Sequence, residues 1–286
     1  MINVLITGGG GFIAGAVRSR LEEFPGRYRV GCVSLRDGAW REKGFSGWDC
    51  VVHAAGIAHV KNDPALEGEY LRVNRDLTLE VARRAKADGA RQFIFLSSVI
   101  VYGDPPPAGA RFTIGPDTPP APANAYGRSK LEAEEGLRAL ADEGFRAAAL
   151  RLPMVFGRGC KGNYNALAAL ARKSPVFPRF ENRRGVLYVE NLAEYIRRII
   201  DAGEGGLFFP QDEIVSTAQL AAQIARAHGR RLSLLRALNP AVRLLGRRGM
   251  VRRAFGDMAA DPALAARFEK WRRYDFEASI RRTEIE

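Results

Sequence analysis

Tyr126 and Lys130 stand four residues apart in Ala125-Tyr-Gly-Arg-Ser-Lys130, a spacing that stacks both side chains on one face of a helix. A phenol beside an ammonium group is a proton-transfer pair. A unit charge at about 4 Å and an effective dielectric of about 20 favours the phenolate by about 4 kcal/mol, or about three pKa units. That would bring a tyrosine of reference pKa about 10 close to neutrality. On a surface helix the same pair is an ordinary exposed contact, so the reading needs a second group. Phe93-Ile-Phe-Leu-Ser-Ser98 supplies one, an apolar strand ending in hydroxyls at the carboxyl edge where open α/β sheets bind ligands.

A third constellation would hold an anion. Gly8-Gly-Gly-Gly11-Phe12-Ile13-Ala14 follows a short apolar run and opens a stretch of helical spacing. One glycine makes the turn, another lets the backbone approach a pyrophosphate, and a small third residue permits tight packing of helix on strand. The helix N-terminus then offers free N–H groups and the positive end of its dipole. The plain alternative is a flexible turn with no ligand. Some 20 residues on, an NAD site usually carries an acid for the ribose, and here stand Ser34, Arg36 and Asp37. A hydroxyl beside a guanidinium suits a 2′-phosphate and hence NADP; NAD remains open if Asp37 takes the ribose instead.

These groups need a scaffold to position them. Strands over 28–35, 50–54, 93–97 and 147–152, with the first strand before the glycines, alternate with helices over 12–21, 71–87 and 126–140. Such alternation predicts an α/β fold, a Rossmann-like doubly wound parallel sheet over residues 1–155. The proline-rich stretch 104–122 must be an irregular loop. Beyond residue 156 the pattern loosens, with one strand over 186–189. Residues 156–286 are expected to form a smaller substrate-binding lobe from which segments return to the sheet.

The strings Thr7-Gly-Gly-Gly-Gly-Phe-Ile13, Val51-Val-His53-Ala-Ala-Gly56, Ser97-Ser98-Val-Ile-Val-Tyr102-Gly103 and the Tyr126 to Lys130 pair resemble those of the extended short-chain dehydrogenases/reductases, the NAD-dependent epimerase/dehydratase family. The resemblance runs over about 1–192, with a weaker echo at 274–283. It implies Ser98, Tyr126, Lys130 and Asn74 as the catalytic set. It also implies cofactor contacts from Gly8, Gly11, Phe12, Ile13, Ser34, Arg36, Ala54, Ala55, Gly56, Tyr126, Lys130 and Pro153. On the substrate side it points to Ser98, Asn163 and Arg184, the arginine as a grip on a nucleotide diphosphate. His53, in an apolar strand, reads as structural rather than as a base, and His59 is left without chemistry.

Departures from the family pattern narrow the reaction. Dehydratases follow the serine or threonine with Asp-Glu, whereas this chain has Val99 and Ile100, which argues against dehydration. Met154 stands where galactose-type 4-epimerases carry a substrate asparagine. The subgroup most resembled acts on UDP-sugars of surface polysaccharides, as 4-ketoreductases or 4-epimerases. Three readings follow: reduction of a UDP-linked 4-keto sugar, 4-epimerisation with retained NAD, and a non-catalytic dinucleotide sensor. Relatives of this kind imply a homodimer.

The chain carries a net charge of +12, and nine arginines with no acidic residue lie between Arg226 and Arg253. That run reads as a solvated face, as a lid over the substrate, or as an interfacial amphipathic segment making weak peripheral membrane contact. Nucleic acid is not an expected partner. Cys32, Cys50 and Cys160 are widely spaced, form no metal-type cluster and read as reduced thiols. With no leader-like start and no apolar run of membrane-spanning length, the expectation is a cytoplasmic protein.

Overall fold

The computed structural model of the chain describes residues 1–58 and 66–286, so His59 lies outside the described residues. Five successive strands, β1 (Ile2–Thr7), β2 (Tyr28–Val33), β3 (Cys50–His53), β4 (Gln92–Ser98) and β5 (Arg146–Leu152), form a parallel sheet in the order β2, β1, β3, β4, β5. After β1 the chain winds outward to β2, then crosses back to β3 on the other side. This reversal opens a crevice between the carboxyl ends of β1 and β3. Thr7 is level with His53, and His53 with Phe95. β4 and β5 run on to the pair Ser98 and Leu152, so Ser98 stands at the carboxyl end of β4, the strand next to β3.

Successive strand residues face opposite ways, and both faces are apolar, as a doubly covered parallel sheet requires. Val4, Ile6, Ile94 and Leu96 pack with Val17, Leu192 and Ile196 of the helices Phe12–Glu22 and Val189–Ala202. Leu5, Phe93 and Phe95 pack with Val81, Ala85 and Leu137 of the helices Leu77–Ala87 and Ala125–Leu140.

The second lobe grows from the end of β5. After Pro153, β6 (Met154–Phe156) leaves the first sheet; β7 (Val176–Pro178) and β8 (Arg184–Tyr188) follow. The helix Val189–Ala202 carries the chain back to β9 (Gly206–Phe208), which pairs with β5 as the sixth strand of the first sheet. β10 (Glu213–Val215), β8 and β6 form a small sheet, and β11 (Ser233–Leu235) pairs with β7. Phe156, Tyr164, Val186, Leu220 and Ile280 make this lobe's core.

Two expected elements differ. The second strand stops at Val33 rather than at 35 because a turn begins there: the Ser34 hydroxyl accepts the Arg36 N–H (3.3 Å) and the Asp37 carboxylate accepts that of Ala39 (3.2 Å). The expected helix over 71–87 is in two parts, a π-helical turn Leu71–Asp76 and then the α-helix Leu77–Ala87. The Thr78 hydroxyl donates to the Asn74 carbonyl at 2.8 Å, taking part of the acceptor that regular helical bonding uses. Such wide turns recur at functional sites.

Ile94 is fully buried at the centre of the first sheet. We expect Ile94→Ala to lower unfolding free energy by about 2–5 kcal/mol, read from the midpoint of urea denaturation at unchanged slope.

Candidate active site

The glycine turn closes the crevice from one side. Gly8 has φ +68°, and a Cβ on it would stand 2.9 Å from the backbone of Ala55, so only glycine lets the β1 turn come this close to the end of β3. Its N–H bonds the Val33 carbonyl (3.1 Å), and its carbonyl accepts the Gly11 N–H (2.9 Å). No side chain caps the helix that starts at Phe12, which leaves its first N–H groups for an anion. Ala14 is buried in the first core cluster, as the third small position demands. Phe12 and Ile13 pack against the second lobe's core. Ser34 and Arg36 are exposed just past β2, and Arg36 meets no carboxylate among the described residues, whereas Asp37 is engaged in its own turn. Turn, uncapped helix and cationic edge together fit a dinucleotide.

Ser98, Tyr126, Lys130 and Asn74 come together above this crevice. The Ser98 hydroxyl accepts the Ile100 N–H at 3.3 Å, donates to the Leu152 carbonyl at 3.5 Å and lies near enough to the Tyr126 phenol to lower its pKa. Two glycines permit that meeting. A Cβ on Gly103 (φ +93°) would stand 2.8 Å from the Ala121 carbonyl, and one on Gly127 would stand 2.9 Å from that of Ile100. Lys130 is buried; its Nζ donates to the Leu96 carbonyl (2.9 Å) and lies 4.5 Å over the Phe95 ring. Asn74 accepts the Ile57 N–H (2.9 Å) and donates to the Ile57 carbonyl and the Ser129 hydroxyl. The position of a Cβ on Gly56 falls 3.1 Å from Asn74 Oδ1 and 3.4 Å from Lys130 Nζ, so Gly56 leaves the gap through which these groups face each other.

The expected electrostatics are reversed in one respect. Burial pushes Tyr126 up to about 12, opposed by the nearby Ser98 hydroxyl and aided by the Tyr70 phenol. Burial also pulls Lys130 down to about 8, which the Glu134 carboxylate resists. The ammonium is committed to Leu96 and Phe95, and loss of hydration outweighs its attraction for a phenolate. The arrangement therefore holds a protonated tyrosine.

Sequence reasoning missed the polar groups beneath the site. Glu134, two turns after Tyr126, is buried and accepts the Ser97 hydroxyl and the Arg151 guanidinium (Nη2 at 2.6 Å). Arg151 also donates to the Tyr102 hydroxyl, and its guanidinium sits 4.8 Å from that ring's centre. Tyr102 of the serine-containing motif is thus a clamp on Arg151. The one signal available was the spacing of Tyr126, Lys130 and Glu134 on a single helical face.

His53 is a neutral connector. Thr78 Oγ spends its proton on the Asn74 carbonyl, so His53 Nε2 donates to it (3.1 Å) and Nδ1 accepts from Thr7 (3.0 Å). Thr7 Oγ1 in turn accepts the Ala55 N–H at 3.4 Å. Burial, with the Lys130 charge nearby, holds the ring down at about 3.

On the substrate side, Gly185 packs on Pro153, a Cβ there standing 3.2 Å from the proline's Cβ, and Pro153 directly follows the partner of Ser98 in β5. Arg184 next to it donates to the Gly256 carbonyl (3.2 Å), and burial pulls it down to about 10 against the Asp257 carboxylate. Asn163 is exposed at the start of the helix Asn163–Lys173. Asn182 is structural, exchanging bonds with Thr217. A cavity of about 930 Å³ lies beside Arg183 and Asp257; its lining includes neither Arg184, Asn163 nor any of the Ser98, Tyr126 and Lys130 set.

The NAD dependent epimerase/dehydratase family matches residues 4–208. A UDP-glucose 4-epimerase of Vibrio cholerae is 34% identical over 186 residues, 62% of this chain and 56% of that protein. An N-acetyl-alpha-D-glucosaminyl-diphospho-ditrans,octacis-undecaprenol 4-epimerase of Escherichia coli O157:H7 is 28% identical over 214 residues, 68% of this chain and 62% of the other. The matched part of the chain thus spans about half to three fifths of the length of these curated relatives. Among solved structures, a dTDP-4-dehydrorhamnose reductase of Clostridium acetobutylicum superposes with a TM-score of 0.74 at 17% identity, over 99% of this chain and 98% of its own. A Thermus thermophilus UDP-glucose 4-epimerase in complex with NAD gives 0.70 at 21%, over 99% and 97%. At these identities the likeness shows the shared fold.

The folded-state value of His53 lies below its ordinary 6.5, so the stability gained from a neutral ring is present above about pH 6.5 and is lost as pH falls towards about 3. We expect His53→Asn to remove about one proton's worth of that slope in denaturation measured across this window. At pH 7 the variant should lose about 1–3 kcal/mol, because one threonine bond is orphaned.

Proposed function

The chain belongs to the NAD dependent epimerase/dehydratase family, and from that membership we propose that it is an NAD(P)-dependent oxidoreductase acting at C4 of a nucleotide sugar. The reaction we assign is reduction of a UDP-linked 4-keto-6-deoxy-N-acetylhexosamine in surface polysaccharide formation. The observation that carries this reading is the gathering of Ser98, at the carboxyl end of β4, with Tyr126, and of Lys130 with Asn74 across Gly56.

The nicotinamide supplies the hydride when bound. Gly8, Gly11 and the uncapped start of the helix Phe12–Glu22 would hold the pyrophosphate, and Ser34 with Arg36 a 2′-phosphate. Ser98 holds the oxygen at C4, and Tyr126 hands it a proton as negative charge develops there. A phenol that burial pushes up to about 12 is protonated, the form from which a proton is given to the oxygen at C4. Lys130, lowered to about 8, is a reservoir able to return a proton near neutral pH. Asn74 keeps Ile57 and Ser129 in place around it. Val99 and Ile100 lie in the 3₁₀ turn after Ser98, where elimination of water would require carboxyl groups. Arg184 is the proposed grip on the diphosphate, a task its fork of N–H donors suits, with Asn163 as a second contact.

A second reading, 4-epimerisation with retained NAD, is favoured by the relative of 34% identity, a UDP-glucose 4-epimerase. UDP-4-keto sugars screened with NADPH and NADH, followed at the nicotinamide absorbance, separate the two. Substrate-dependent NADPH oxidation is expected; tightly held NAD with no such oxidation would overturn reduction in favour of epimerisation. Tyr126→Phe should lower kcat about a hundredfold to ten-thousandfold. Arg36→Ala should raise KM for NADPH about tenfold while leaving that for NADH unchanged.

A further inference from the structure

The arginine-rich run is a built surface rather than a loose arm. Its short helices Asn239–Leu244 and Gly249–Phe255 are seated on the proline-rich loop. The Ala108 N–H bonds the Gly246 carbonyl (3.2 Å), Arg252 donates to the Pro105 carbonyl, and Val242 is buried beneath. A Cβ on Gly256 would stand 2.4 Å from the Pro106 carbonyl oxygen, so the seat is tight. On the inner side the Gly256 carbonyl accepts from Arg184.

The outer side is unpartnered in two ways. Leu244 and Met250 are 86% and 80% exposed, the highest of the large apolar side chains among the described residues. Of Arg236, Arg243, Arg247, Arg248, Arg252 and Arg253, only Arg252 meets a carboxylate among the described residues, Asp104 at 3.5 Å. The helix Val189–Ala202 shows the contrast, since Arg197 and Arg198 both bond Glu194.

We propose that this segment, exposing Leu244 and Met250 together with Arg243, Arg247, Arg248 and Arg253, is a docking surface for an anionic lipid bilayer. Guanidinium groups without internal partners attract anionic headgroups, and two projecting aliphatic side chains enter the acyl boundary between them. A second copy of the chain would bring the same positive charge against it. A nucleic acid would satisfy the arginines but leave Leu244 and Met250 against phosphate and water. The contact is peripheral, since no described helix is long and apolar enough to cross a membrane. It is independent of which reaction the site performs.

The test is flotation of the purified full chain with vesicles of equimolar phosphatidylglycerol and phosphatidylcholine, beside vesicles of phosphatidylcholine alone. The expected result is flotation with the anionic vesicles only. Binding should fall about tenfold in Arg243→Glu/Arg247→Glu, and also in Leu244→Asp/Met250→Asp. It should stay unchanged in Arg83→Glu/Arg146→Glu, which makes the same charge change at exposed sites elsewhere. Melting curves establish that each variant is folded; if the aspartate variant is not, the two glutamate variants decide. Absence of wild-type flotation, or equal loss in the control variant, would overturn the proposal. So would displacement from the vesicles by a short DNA duplex that binds more tightly, an outcome assigning the face to nucleic acid.

Discussion

One helical face carries the candidate active site on buried polar bonds. Tyr126, Lys130 and Glu134 follow one another up the helix Ala125–Leu140, each turned against the end of β4. Tyr126 faces Ser98, Lys130 bonds the Leu96 carbonyl, and Glu134 bonds both Ser97 and Arg151. Leaving any of these polar groups buried and unbonded would cost a kilocalorie or more, and an uncompensated charge would cost more than that. The helix therefore has one register against the strand. Gly103 and Gly127 allow the backbones to close, Gly103 on the Ala121 carbonyl and Gly127 on that of Ile100.

A second set of bonds ties that ladder to the crevice. From the Ala55 N–H through Thr7, His53 and Thr78 to the Asn74 carbonyl, neutral groups connect the end of β1, the strand β3 and the π-helical turn. Asn74 then fixes Ile57, just past the Ala54, Ala55 and Gly56 run. The chain is neutral for a reason. A charged imidazole in this position would add a second cation close to the buried Lys130. Among the described residues, the buried cations by solvent exposure are Lys130 and Arg151, the latter balanced by Glu134.

The same economy of buried charge separates the interior from the basic outer segment. Arg151 and Arg184 are held inside by a carboxylate or a carbonyl, while the arginines around Leu244 and Met250 project without such partners. Between them lies the proline-rich loop, which touches the outer segment at Pro105 and Ala108 and leads back to Tyr102 and Ser98. Substrate side and outer surface therefore share a backbone connection of a few residues.

Much was legible in the sequence because it depends on local rules. Apolar periodicity set the alternation of strands and helices, the run of glycines after the first strand announced a tight turn, and the four-residue interval placed Tyr126 and Lys130 on one face. The family resemblance added Ser98 and Asn74. What could not be read was whatever depends on burial and on partners distant along the chain. Arg151, Tyr102 and Thr78 carry no local mark of their roles, and β9 is only three residues long. The Tyr126 and Lys130 charge states show the limit most clearly. Spacing alone predicted a lysine drawing the phenol down towards neutrality. The tertiary structure raised the phenol and lowered the lysine, because the loss of hydration on burial depends on every element packed around a group.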